Sequence, residues 1–288
     1  MRYLDAAAVR AAVSLPAAIA ALRDGLAADA GGPQPVRTSR AWTGGELLVM
    51  PAEAGAVAGV KLATIGTGPV RVQGVYVLFD AATLTPLVVA DAGALTLLRT
   101  AALSALAVDL LAPVSASTLA VVGTGPQARE HVAAIRAVRP ISSVTVVGRT
   151  PSRAAALAAE LDASVGSDVA SADIVCLCTT ATTPVVSAAD LAPHACVAAI
   201  GAHVPDAREV AADVVASSFV VVDDPAAARR EAGDLIMAVA EGVASESVFD
   251  VSLATLVRGE VARPGGRTLF KSVGFGLADL LVARLLAD

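Results

Sequence analysis

The stretch Thr118–His131, TLAVVGTGPQAREH, constrains this chain more than any other. Leu119–Val122 is a short apolar, β-branched run of the kind that forms a buried strand. G-x-G-x-x-A follows as Gly123, Gly125 and Ala128, and a helical pattern continues through Arg129–Val138. Each small residue has a task. Gly123 permits the tight turn out of the strand, Gly125 lets backbone approach a pyrophosphate, and Ala128 lets helix and strand pack closely. Free N–H groups at the helix start, aided by the helix dipole, then hold phosphates. Strand, glycine turn and helix in this order satisfy the context that a dinucleotide-binding motif requires. They place Gly123, Thr124, Gly125, Pro126 and Gln127 at a cofactor, against the alternative of an ordinary glycine-rich turn.

Alternation of strand and helix continues from there, which implies a parallel sheet. Strand Ser143–Val147 ends in Gly148-Arg149-Thr150, where an NAD-binding protein usually carries an acid for the ribose 2′-hydroxyl. No Asp or Glu occurs between Glu130 and Glu160, whereas Arg149, Thr150 and Arg153 do. That composition suits a 2′-phosphate, so NADP(H) is favoured, with NAD(H) as the alternative. Further strands are expected at Ile174–Cys178, Val197–Ile200 and Phe219–Val222. Thr179, Thr180 and Gly201 fall at their C-terminal ends, where open α/β sheets bind ligands. His203 follows such an end and is a candidate substrate contact, weighed evenly against an idle loop histidine. His131 reads as a helix-surface residue and His194 as part of a Pro-containing loop.

The first part of the chain has a different grammar. Residues 1–30 read as one or two helices, with Leu15-Pro16 as a helix start. Four strand-like runs follow, VRTSRAW, GELLVMPA, AGVKLATIG and VQGVYVLFD. They read as antiparallel hairpins, because nothing between them is long enough for a crossover helix. Two charges interrupt apolar sequence: Lys61 within Gly59–Ile65, and Arg99 within Ala94–Ala112, a helix apolar nearly all round. Such a helix is buried, and a buried arginine needs an anion. Either an acid such as Asp80 or Asp91 or a substrate carboxylate would serve; the two cations together favour the carboxylate. Thr268–Asp288 reads as a strongly apolar helix returning to this first domain, with no sheet left to extend. The expected domains are therefore 1–112 plus 268–288, and 113–267.

At 288 residues the chain accommodates two domains. A formal charge of −6 without a basic stripe argues against nucleic acid. No apolar run reaches the roughly 20 uncharged residues of a membrane span, and MRYLDAAAVR lacks a signal-peptide core, so a soluble cytoplasmic protein is expected. Cys176, Cys178 and Cys196 form neither a zinc nor a disulfide framework. Cys176 and Cys178 read as small core residues, and no metal site is expected.

Four segments together resemble the ornithine cyclodeaminase/mu-crystallin family: VKLATI around Lys61, LLRTAALSALA around Arg99, VGTGPQAREH, and FKSVGFGLADL near the end. LRTAA and FKSVG are more specific than the glycine motif, and the resemblance spans nearly the whole chain. It implies an α/β protein in which a Rossmann NAD(P)-binding domain is inserted into an α+β substrate and dimerisation domain, and a homodimer. It also implies that Arg40, Lys61 and Arg99 surround a substrate carboxylate near Met50-Pro51, and that Thr100, Lys271 and Gly274 sit at the cofactor. Cyclodeaminases of the family carry an aspartate where this chain has His203, and a glutamate where it has Leu48. Both acids serve the amino groups of ornithine. The segment PDARE, Pro205–Glu209, is closer to the ketimine reductase and alanine dehydrogenase branches. The connection from Ile65 to Gly74 is short for the family. Three readings follow: an NADPH-dependent α-imino acid reductase or alanine dehydrogenase-like enzyme, with Lys61, Arg99 and His203 as catalytic candidates; a cyclodeaminase recycling NAD; or a non-catalytic NADP(H)-binding protein.

Overall fold

A computed structural model describes residues 2–29, 32, 34–68 and 72–287. The chain divides into two compact units, Met1–Leu103 with Phe275–Asp288, and Ser104–Gly274. Both boundaries differ from the sequence expectation: the first falls within a helix, and the second lies seven residues beyond residue 267.

The first unit opens with β1 (Arg2–Leu4), α1 (Ala6–Ala12) and α2 (Leu15–Ala27). Asp5 and Ser14 cap the two helices with their side chains, satisfying N–H groups that a helix start leaves open. The expectation of helix alone is corrected by β1, which pairs parallel with a later strand. β2 (Thr38–Trp42), β3 (Gly45–Ala54), β4 (Val57–Gly66) and β5 (Val72–Asp80) form the expected antiparallel meander. β6 (Pro86–Asp91), unforeseen in the sequence, completes a six-stranded sheet of order β1-β6-β5-β4-β3-β2. The residues linking β4 to β5, noted above as a short connection, lie partly outside the described positions.

One face of this sheet buries Leu48 and Met50 of β3, Lys61 and Ala63 of β4, Tyr76 and Leu78 of β5 and Val88 and Ala90 of β6. The period-2 alternation is that of a sheet covered on one side. α3 (Ala92–Leu111) follows, 20 residues and long and apolar enough to cross a membrane; 78% of its most apolar window is buried within the protein, as in a core helix.

The second unit begins at Ser104, inside α3. Its elements are β7 (Thr118–Val122), α4 (Pro126–Arg136), β8 (Ser143–Val147), α5 (Pro151–Leu161), β9 (Ser164–Gly166), β10 (Ile174–Leu177), β11 (Cys196–Ala199), α6 (Ala212–Ala216), β12 (Phe219–Val222), α7 (Pro225–Glu231), α8 (Gly233–Ala240), α9 (Leu253–Val257) and β13 (Thr268–Lys271). Proline opens α4, α5 and α7, where its fixed φ suits the helix and its missing N–H costs nothing. Seven strands form an all-parallel sheet of order β12-β13-β11-β10-β7-β8-β9. Its central strands are buried on both faces, as βαβ crossovers demand. β13 corrects the reading that no sheet was left to extend: Thr268–Lys271 slots between β11 and β12. After it, α10 (Gly276–Ala283) belongs to the first unit, packed on α2 and on β3, β4 and β5.

Candidate active site

In the second unit the glycine turn is built as the motif requires. Gly123 has φ of +123°, and a Cβ there would lie 2.4 Å from the Cys178 carbonyl oxygen, so no other residue fits. Gly125 sits at the N-cap of α4, a Cβ there would meet nothing within 4 Å, and no side chain caps the helix. This open, uncapped helix start fits a pyrophosphate. Ala128 is buried, as close packing requires.

His131 corrects its reading as a surface residue: it is completely buried. Nδ1 lies 2.8 Å from the Gln127 carbonyl and must donate to it; Nε2, 3.0 Å from Ser104 Oγ, then accepts. Burial holds this imidazole neutral, with its pKa pushed down to about 4. The helical period contained the signal, since Ala128, His131 and Ile135 share one face.

Beyond β8, Arg149, Thr150 and Arg153 are exposed, and neither guanidinium makes a hydrogen bond or ion pair among the described residues. α5 also starts without a side-chain cap. Thr179 and Gly201 lie in the loops just beyond β10 and β11, and Glu209 joins them. Its Oε1 accepts from the Thr179 N–H at 2.9 Å and hydroxyl at 2.7 Å, and its Oε2 accepts from the Gly201 N–H at 2.6 Å. Burial pushes the Glu209 carboxyl up, while Lys271 and Thr179 pull it back. Thr180 follows in the same loop. His203 is half-buried, with Nδ1 3.1 Å from the Gly201 carbonyl.

Lys271 and Gly274, expected at the cofactor, are each held by a buried carboxylate. Lys271 is fully buried; its ammonium pairs with Asp234 at 2.7 Å and donates to the Ala202 carbonyl at 2.6 Å. Gly274 gives its N–H to Asp223, which also accepts from the Ser272 hydroxyl and the Val273 N–H. Cys176 and Cys196 are buried with thiol pKa values raised by burial, which makes them inert core residues; Cys178 is half-buried with its thiol raised likewise.

The first unit holds a cationic cluster. Lys61 sits on β4 with Met50 opposite on β3 and Tyr76 opposite on β5. Its ammonium lies 2.8 Å from Asp279 Oδ2 and makes a long contact of 3.5 Å to Thr96 Oγ1. Arg99, one α3 turn beyond Thr96, gives Nε to Asp279 Oδ1 at 2.9 Å. Neither Asp80 nor Asp91 is the counter-ion: Asp80 bonds Thr83 and Asp91 caps α3 through Ala94. Asp279 lies in the first turn of α10, where the helix dipole favours a carboxylate. Gly276 brings that turn in, since a Cβ there would stand 2.5 Å from the Pro51 carbonyl oxygen. Thr100 is buried beside Arg99.

Two buried cations thus share one carboxylate. Burial lowers the Lys61 pKa to about 8; Asp279 opposes the shift, and Arg99 and Arg37 reinforce it. Arg99 makes no other hydrogen bond among the described residues, so its two terminal nitrogens are left for a second anion. Arg40 lies on β2, whose residues are all exposed, and does not join this cluster; the arginine that Lys61 feels is Arg37. Sequence reasoning missed Arg37, Tyr76, Asp279 and Glu209. The Tyr76 hydroxyl is buried over Gly59 without a hydrogen-bond partner among the described residues. Asp279 did carry a signal, a lone acid inside an apolar helix.

Comparison with known proteins gives the family and the fold. Residues 3–288 match the ornithine cyclodeaminase/mu-crystallin family. A Delta(1)-pyrroline-2-carboxylate reductase of Bacillus cereus is 34% identical, over 88% of this chain and 85% of that protein. The Delta(1)-pyrroline-2-carboxylate/Delta(1)-piperideine-2-carboxylate reductase of Azospirillum brasilense is also 34% identical, over 99% of this chain and 94% of its own. The structure of the Thermococcus litoralis Delta(1)-pyrroline-2-carboxylate reductase, solved with NADH and L-proline, superposes with a TM-score of 0.93 at 25% identity, covering 100% of this chain and 96% of that one.

Proposed function

Because the chain belongs to the ornithine cyclodeaminase/mu-crystallin family, we propose that it is an NADPH-dependent reductase of cyclic α-imino acids such as pyrroline-2-carboxylate and piperideine-2-carboxylate, giving the corresponding amino acids. The observation that carries this reading is the buried Lys61–Asp279–Arg99 cluster, two cations on one carboxylate with the Arg99 fork unused. A buried positive charge without its own counter-ion calls for a bound anion, and a guanidinium fork matches a carboxylate in shape. Asp279 takes only Nε and so presents the fork in a fixed orientation.

The cofactor, when bound, supplies the hydride that reduces the C=N bond. Arg99 binds the substrate carboxylate and so fixes the α-carbon that receives it, which is a contribution of orientation. Lys61 holds a proton beside the same end of the substrate. With a pKa of about 8, it can give that proton to the imine nitrogen near neutral pH, making the carbon a better acceptor. Met50 walls the site on the β3 side. Leu48 and His203 stand where cyclodeaminases have acids, which disfavours ornithine.

Preference for NADPH is supported by Arg149 and Arg153, exposed cations at the uncapped start of α5, in a stretch with no acid between Glu130 and Glu160. A homodimer built through the first unit fits the exposed edge strand β2. A soluble cofactor and a small charged substrate suit the cytoplasm.

Steady-state kinetics with pyrroline-2-carboxylate, piperideine-2-carboxylate, pyruvate plus ammonia, and ornithine test this reading. The two cyclic imino acids should give the highest kcat/KM with NADPH oxidation. Turnover of ornithine alone, with ammonia release and no net cofactor change, would establish a cyclodeaminase instead.

A further inference from the structure

Three charged residues lie completely buried in the second unit: Glu209, Asp234 and Lys271. They form one chain of contacts. Asp234 Oδ1 accepts from the backbone N–H of Glu209 at 2.6 Å and of Val210 at 2.9 Å, while Oδ2 meets the Lys271 ammonium at 2.7 Å. Lys271, at the end of β13, also holds the Ala202 carbonyl. Glu209 in turn grips Thr179 through two bonds and Gly201 through one. The loops leaving β10 and β11 are therefore fixed from below at three points, Thr179, Gly201 and Ala202. Gly201 has no latitude: a Cβ would lie 2.1 Å from the Thr179 carbonyl oxygen and 2.5 Å from Glu209 Oε1.

Buried charges are expensive unless every oxygen and proton is matched, and this cluster supports no core packing that aliphatic residues could not supply. What it does support is the rim of the sheet. Strand order reverses at β7, with β8 on one side and β10 on the other, and a dinucleotide lies across such a switch point. Arg149 at the end of β8 marks the adenosine side, so the nicotinamide half falls over the ends of β10 and β11.

We propose that Glu209, set by Asp234 and Lys271, is a positioning residue for the nicotinamide half of the cofactor: it locks Thr179 and Gly201 at the distance that half requires. This rests on the reductase reading only in taking a nicotinamide cofactor, and its test on that cofactor being NADPH. The geometry also states what should break it. All three groups facing Glu209 are donors, so a carboxylate satisfies them all. An amide of the same shape has one oxygen, and its NH2 would face either Thr179 or the Gly201 N–H, donor against donor.

The test uses Glu209→Gln in the full chain, with two probes titrated separately: NADPH, and adenosine 2′,5′-bisphosphate, which carries only the adenosine half. NADPH should bind at least tenfold more weakly to the variant, while adenosine 2′,5′-bisphosphate binds within twofold of the parent. Thr179→Val, which removes one donor and leaves the buried charges in place, should show the same selectivity to a smaller degree and serves if Glu209→Gln does not fold. Equal weakening of both probes, or unchanged NADPH binding with a lowered Tm, would make Glu209 merely structural and overturn the proposal. Neither readout uses an imino acid, so a wrong substrate leaves the result intact, and a selective NADPH loss without imine turnover would count against the reductase reading alone.

Discussion

Replacing Asp279 by asparagine preserves its volume and removes the carboxylate that Lys61 and Arg99 share. The two cations respond differently. Lys61, with a pKa near 8, escapes by losing its proton, which at pH 7 costs roughly 1.4 kcal/mol, one pKa unit. Arg99 stays charged at any accessible pH, and stranding a buried charge costs about 3–5 kcal/mol. A loss of roughly 3–6 kcal/mol, partly relieved by water entry, corresponds to a Tm lower by about 10–20 °C for a protein of this size. Thermal melts with and without L-proline give the magnitude, and the ligand should raise the variant's Tm more than the parent's by returning a carboxylate to Arg99. The pH–rate profile gives the chemistry. In the parent, kcat/KM should fall above pH about 8 as Lys61 loses its proton; in Asp279→Asn the fall should begin below pH 7. The same shift affects stability with a definite sign. The Lys61 pKa is depressed on folding, so the unfolded chain binds more protons between pH 8 and 10.5, and the stability linked to this group, present above 10.5, is lost as pH falls through 8. A Tm within 2 °C of the parent and an unmoved alkaline limb would refute the argument.

Arg149→Ala should weaken NADPH binding about ten- to a hundredfold, by loss of charge-assisted bonds of roughly 1.5–3 kcal/mol, and leave NADH binding unchanged; fluorescence titration with both cofactors decides, and tighter NADH binding by the parent would remove the basis for an NADPH preference. Gly123→Ala places a Cβ 2.4 Å from the Cys178 carbonyl at φ +123° and should lower stability by more than about 1 kcal/mol while abolishing cofactor-induced Tm shifts. His131, with a pKa lowered from 6.5 to about 4, contributes stability that is present above pH 6.5 and lost as pH falls through 4, worth roughly 3 kcal/mol; urea midpoints at pH 7 and 4.5 should differ more in the parent than in His131→Gln.

The family, the α/β class and the glycine turn were legible in the sequence because each rests on local rules. A glycine that must adopt φ of +123° announces itself within four residues, and a lysine or arginine inside an apolar run announces that a counter-charge exists. The identity of that counter-charge is a different matter. Arg99 and Asp279 are 180 residues apart, and only the packing of α10 on β3 and β4 decides that Asp279, not Asp80 or Asp91, meets the two cations. Likewise FKSVG reads as a motif, yet its lysine turns inward to Asp234, because β13 lies between β11 and β12 instead of leading directly into the terminal helix. The burial of His131 was within reach of the helical period and was overridden by its polarity. Arg40 and Arg37 show the limit from the other side: Arg40 lies on the exposed strand β2, whereas Arg37, just before that strand, falls within the field of Lys61. Local backbone demands are written in adjacent residues; pairings across the fold depend on which surfaces meet, and sequence spacing does not encode that.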